Sequence, residues 1–201
     1  MEKQLSLRQY RLIDLSLFAL IGALFEFVLV RAATVWFPDQ LYSLSGTALV
    51  SAIVLMRWGA PAALHMALGG LVFALAGGAR GAGILIYAGG NLAALLLLPA
   101  FRGKTPAEVK ARKQKIAASG FRTVLFGLGA VLLMQAGRAA LSLLFGGALK
   151  DAPGYFLSDV LSDLFTPLVL ALVRKLDGVF EDQKSYLLRK QAEFQEEKRS
   201  A

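Results

Sequence analysis

The 201-residue chain predicts an all-α fold: an integral membrane bundle of six transmembrane helices with both termini in the cytoplasm. Three observations carry this. Hydrophobic residues make up 56% of the chain and charged ones 18%, with mean hydropathy +0.57, whereas soluble domains run near half apolar and a quarter charged. The apolar residues gather in runs approaching the roughly 20 that a helix needs to cross the hydrocarbon core. Lysine and arginine fall mainly in alternate connections, as the retention of cations on the cytoplasmic side requires.

The first span is 12–33. It follows a basic start, as a secretory signal would, but it runs on without a short apolar region and is read as retained. The second, 44–56, is short and ends at Arg57-Trp58. The third, 59–78, carries Pro61 in its first turn, where a missing N–H costs little. The fourth, 82–98, is closed by Pro99. The fifth is 121–148, and the sixth, 155–173, follows Pro153-Gly154 with a kink expected at Pro167.

Orientation follows from the cations. The connection between spans four and five holds Arg102, Lys104, Lys110, Arg112, Lys113 and Lys115, and Arg174-Lys175 follow span six. With Lys3, Arg8 and Arg11 before span one and Arg57 after span two, all inner segments are basic, leaving Arg80 and Lys150 outside. A re-entrant second span would invert every later loop. Residues 1–175 thus form the transmembrane domain. Residues 176–201 form a charged cytoplasmic helix, with Leu176, Phe180, Leu187 and Phe194 at near-helical spacing. That tail either lies at the headgroups or docks a partner.

Several function classes are excluded. With no cysteine and a single histidine, thiolate metal sites, thiol catalysis and histidine-pair metal sites are absent, and no cofactor is called for. The net charge of +8 sits beside apolar spans, so membrane lipid is the expected partner rather than nucleic acid. Gly103, Lys104 and Thr105 mimic the end of a phosphate-binding loop, but the first glycine of that motif would fall at Leu98. Nothing demands an enzyme; an intramembrane one using Asp159, Asp163 or Glu26 is the weakest reading.

Ionisable groups inside spans are costly and usually face a bundle interior or a water-filled path. Counting roughly 1.5 Å per residue from each span's middle puts Glu26, Arg138 and Asp163 slightly outside the midplane. Asn91 and Gln135 fall near the same layer, with Asp159 one turn further out. Tyr87, Trp36, Tyr42 and Tyr155 would ring the same opening, although Trp36 and Tyr42 equally suit interfacial anchors. The layer is either a solute site, in which Glu26, Asn91, Gln135, Arg138, Asp159 and Asp163 orient a polar molecule, or a strut of mutually neutralised charges. His65 is read as a hydrogen-bonded packing residue. Small residues recur at Ala19-x-x-x-Ala23, Ala63-x-x-x-Ala67 and Gly70-x-x-x-Ala74, which lets helices approach closely.

Six spans with cytoplasmic ends, Ala19-x-x-x-Ala23 in the first, and Met56-Arg57-Trp58-Gly59-Ala60 turning into a small-residue-rich third span form a combination. Over roughly residues 11–175, the layout resembles the substrate-binding S component of energy-coupling factor transporters. The resemblance implies a bacterial plasma-membrane protein that takes up a vitamin or related small-molecule solute. It also implies partnership with a transmembrane coupling subunit, contacted through Ala19 and Ala23, and with two ATPase subunits. No signature of the riboflavin, thiamine, biotin or folate members is found, so the solute stays open. The competing reading is a scaffold resembling the membrane subunit of the bacterial rod-shape system. Such a scaffold would fill the outer layer with apolar side chains or close ion pairs.

Overall fold

A computed structural model describes residues 6–39, 42–176, 178–183, 186–189, 192 and 196 of the chain, and among these every regular element is helical. Lys3 and Phe194 lie outside the described residues. Helix α1 (Leu7–Trp36) starts at a capping box: Ser6 Oγ accepts from Gln9 N at 3.2 Å and Gln9 Oε1 accepts from Ser6 N at 2.9 Å. Helices α2 (Thr47–Trp58) and α3 (Ala62–Ala76) are joined by a turn through Gly59, whose φ of 72° suits glycine. Helix α4 (Ala82–Gly90) tightens without a break into a 3-10 segment, Asn91–Phe101. Helix α5 (Pro106–Ala118) lies in the basic connection and was not anticipated. Thr105 caps it by accepting from Glu108 N at 3.2 Å, and Pro106 fills its first position. Helix α6 (Gly120–Leu144) is followed by a short 3-10 turn (Leu149–Asp151), α7 (Ala152–Leu157) and α8 (Val160–Val173).

Each predicted span coincides with an apolar helix, but their lengths differ. Among the described residues, α1, the continuous α4 and 3-10 segment, and α6 are long and apolar enough to cross a membrane, and the bent pair 149–157 and 160–173 makes a fourth. Helices α2 and α3, of 12 and 15 residues, are apolar but shorter. The sixth segment bends by 42° at its break around Ser158 and Asp159, whereas Pro167 sits within α8. Several long apolar helices of this kind suit a membrane-embedded protein.

Helix α6 is the central element, packed against α4, the 3-10 segment, α8, α7, α2 and α5. Leu55, Met56, Met66, Met134 and Leu170 are fully enclosed in the core. Helix α1 is peripheral, resting on α3 and α2, with Leu12, Leu20, Leu24 and Val35 more than half exposed. A stripe of that kind is ordinary where the solvent is hydrocarbon. Past Val173 the chain does not extend α8 but turns at Gly178 (φ 79°) and folds back, burying Phe180 in the core. Arg57 donates to Gly178 O at 2.6 Å, Lys113 pairs with Asp182 at 2.5 Å, and Tyr10 bonds Gln183 at 3.1 Å. The tail thereby ties α1, α2 and α5 together at the basic end.

The packing that positions the buried charges is a glycine crossing. A Cβ on Gly137 would collide with Gly90 O, and one on Gly90 would stand 2.6 Å from Arg138 N. The two backbones therefore meet directly, which brings the next residues, Arg138 and Asn91, within reach of each other. Gly137→Ala is expected to cost about 1–3 kcal/mol through overpacking, read as a lowered thermal midpoint in detergent. Gly83→Ala, whose Cβ would meet only Ala79 at 3.4 Å, should cost nothing. Equal midpoints for the two variants would remove the crossing as a constraint.

Candidate functional site

The sequence places five polar residues near one depth and Asp159 a turn further out, and the structure sorts the six into three arrangements. In the first, Arg138 on α6 is 3% exposed and ion-pairs through Nη1 with Asp159 Oδ2. Its Nε donates to Asn91 Oδ1 at 2.8 Å, and its guanidinium carbon stands 5.0 Å from the Tyr87 ring centre and 5.7 Å from that of Phe73. Asn91 Nδ2 donates to Met66 O at 3.1 Å, which fixes the amide so that its oxygen faces the cation. Asp159 Oδ1 accepts from Ser43 Oγ at 2.5 Å. The partner of Arg138 is thus Asp159; neither Glu26 nor Asp163 bonds it.

Glu26 forms the second arrangement. It is fully enclosed on α1, and Oε2 accepts from Gly46 N at 2.7 Å, at the N-terminal end of α2. An acidic group is favoured there because the first backbone N–H groups of a helix point outward unpaired. In the third, Gln135 Nε2 donates to the half-buried Asp163 at 2.8 Å. Glu26 also hydrogen-bonds the Ser45 and Thr47 side chains, whereas Gln135 Oε1, Ser51 Oγ and Thr166 Oγ1 are buried with no hydrogen-bond partner among the described residues. Such atoms are uncommon in folded proteins, and here they are spread over several helices, with His65 Nδ1 on α3 and Arg174 Nε at the basic end as further cases.

The segment before α2 connects the first two arrangements, and its role was not read from the sequence. Ser43 N donates to Ser158 O at 2.6 Å, Ser45 N donates to Ser162 Oγ at 2.9 Å, and Gly46 N donates to Glu26. The available signal was the alternation Ser43, Ser45, Thr47, which an extended chain directs to one side. Phe73 was missed as well, since nothing in an apolar span marks one ring as the face on which a cation rests.

Backbone irregularity coincides with the charges. The helix carrying Asn91 changes from α to 3-10 at that residue, the sixth segment breaks at Asp159, and α2 begins beside Glu26. Each of these features, of which only the one at Asp159 is a break, lies beside a buried polar side chain that bonds a group off its own helix. Of the aromatic residues expected around the layer, Tyr87 and Tyr155 stand 6.3 Å apart near Arg138, while Trp36 and Tyr42 are exposed. His65 Nε2 bonds Leu15 O at 2.9 Å and ties α3 to α1. Ala19 and Ala23 line a narrow crevice of about 10 Å³ with Gly22, Thr47, Val50 and Gly69. Their small size serves packing of α1 on α2 and α3.

No family model matches the chain, and no curated protein or solved structure matches it either.

Removing one member of the buried pair, by Arg138→Met or by Asp159→Leu, should destabilise the protein by about 3–5 kcal/mol, because the other charge is left unpaired in an apolar surrounding. The double variant should recover most of that loss, and a double-mutant cycle by thermal unfolding in detergent measures the coupling. Additive losses would mean that the two groups act independently.

Proposed function

We propose that the chain is a solute-binding membrane subunit of the energy-coupling factor type, with six spans and cytoplasmic termini in a bacterial plasma membrane. On this reading it captures a polar, vitamin-like solute from outside. It then passes the solute inward with a transmembrane coupling subunit and two ATPase subunits. The observation that carries the proposal is the break in the sixth segment at the buried Asp159, together with the change from α to 3-10 at Asn91 and the start of α2 beside Glu26. Transporters build midplane sites from such discontinuous helices, because freed backbone groups and convergent side chains both bind solute. Further support comes from Gln135 Oε1 and Thr166 Oγ1, buried without a hydrogen-bond partner among the described residues of the same bundle.

The arrangement is closed in this conformation, with Glu26, Asn91 and Gln135 fully buried. Entry would proceed by release of residues 42–46, whose bonds to Ser158, Asp159, Ser162 and Glu26 cover the layer. A coupling subunit would approach Ala19 and Ala23 at the seam of α1 with α2 and α3, where both are half-buried. A second reading, the envelope scaffold, draws support from the Arg138–Asp159 pair, which neutralises the cation without any solute.

Mass spectrometry of the purified protein should detect a co-purified polar small molecule, and a pull-down should recover a coupling subunit. Gln135→Leu keeps volume and removes the amide; it should lower solute retention at least tenfold, about the worth of one hydrogen bond to a polar ligand, while leaving the protein folded. No retained molecule, together with recovery of cell-envelope proteins, would favour the scaffold.

A further inference from the structure

At the basic end of the bundle, a cavity of about 450 Å³ opens between the start of α1, the turn after α2, the end of the 3-10 segment, α5 and the returning tail. Its floor is apolar, formed by Trp58, Leu98, Phe101 and Val109. Its walls carry Arg11, Arg57, Arg102 and Lys113, against Asp182 as the lining carboxylate. Two of these cations are already neutralised: Arg57 pairs with Asp14 at 2.7 Å and Lys113 with Asp182 at 2.5 Å. Arg11 and Arg102 are exposed, and neither makes an ion pair or side-chain hydrogen bond among the described residues. Arg11 only stands over the Trp58 ring, 5.8 Å from its centre.

We propose that this cavity binds the phosphodiester headgroup of an anionic phospholipid, with Arg11 and Arg102 on the phosphate and the apolar floor under the glycerol and upper acyl chain. Guanidinium groups bond phosphate oxygens in pairs, and two of them with no carboxylate partner among the described residues leave positive charge for an anion to satisfy. Basic pockets at the cytoplasmic ends of spans hold such headgroups. A free phosphate would use the cations but gain nothing from Trp58, Leu98 and Phe101. The position selects lipid as well: Leu12, beside Arg11, is 67% exposed and opens the apolar outer stripe of α1. The inference rests on membrane placement and is independent of the transported solute.

The test is native mass spectrometry of the full chain in neutral detergent, titrated with phosphatidylglycerol, phosphatidylcholine or inorganic phosphate. The wild type is expected to retain phosphatidylglycerol in preference to phosphatidylcholine. The double variant Arg11→Gln, Arg102→Gln should bind phosphatidylglycerol roughly thirty-fold more weakly, from about 1 kcal/mol per cation, with an unchanged thermal midpoint. Arg102→Gln alone repeats the test at roughly fivefold, should the double variant not fold. Undiminished phosphatidylglycerol binding by the variants, or equal retention of the two lipids by the wild type, overturns the proposal. Inorganic phosphate that displaces the lipid at equal concentration assigns the cavity to a free anion and overturns it too.

Discussion

A guanidinium held in an apolar bundle needs a counter-charge, hydrogen-bond acceptors and a polarisable surface, and much of this fold follows from supplying them to Arg138. Asp159 provides the charge, Asn91 an acceptor, and Tyr87 and Phe73 the ring faces. Each has a backbone consequence. Asn91 reaches Arg138 because Gly90 and Gly137 let α4 and α6 touch. Asp159 lies at the break before α8, which lets the chain bend by 42° between its two helices. Ser43 braces the other oxygen of Asp159 and so fixes the approach to α2. A buried pair of this sort offers little net stability over well-packed apolar residues, so specificity of arrangement is what it contributes.

Helix α1 illustrates a different economy. Little of it is buried, yet it is clamped to α2 at both ends of the pair. Asp14 accepts from Arg57 and from Trp58 Nε1 at one end, and Glu26 accepts from Gly46 N at the other. These acids are twelve residues apart, roughly 18 Å along the axis, with the small residues Ala19, Gly22 and Ala23 between them. In hydrocarbon, apolar contact alone does not drive helices together, so polar bonds at the ends and close packing in the middle take over that task.

The existence of the helices was legible from the sequence because apolar runs bounded by Pro, Gly and charge leave few alternatives. Burial was legible for Glu26, Asn91, Gln135, Arg138 and Asp159, while Asp163 is only half-buried. Partners were not. Counting along a helix gives height but not direction around the axis, and helices that are apolar on every side carry no pattern to supply it. So Arg138 could not be matched to Asp159 rather than to Glu26 or Asp163. The bend was placed at Pro167 because proline is the visible local breaker. The observed break, at Ser158 and Asp159, accompanies tertiary bonds to Ser43 and Arg138 that no local rule encodes. By contrast, α5 was legible and passed over: Thr105, Pro106 and Glu108 are a standard helix start.

The choice between a strut and a solute site turns on the interruptions rather than on the ion pair. Two unbroken helices can share a buried pair, since each satisfies its own backbone, and a scaffold requires no more than that. Here the backbone breaks beside Asp159, and the freed Ser158 carbonyl and nearby side chains are met by a single short segment. Ser43 N bonds Ser158 O, Ser45 N bonds Ser162 Oγ, and Gly46 N bonds Glu26. Withdrawing 42–46 would therefore unmask a carbonyl, a hydroxyl and two carboxylates at once, without disturbing the glycine crossing that holds Arg138 and Asn91. An arrangement in which one segment satisfies a carbonyl, a hydroxyl and two carboxylates serves a strut as it stands, and serves a solute site only when that segment moves.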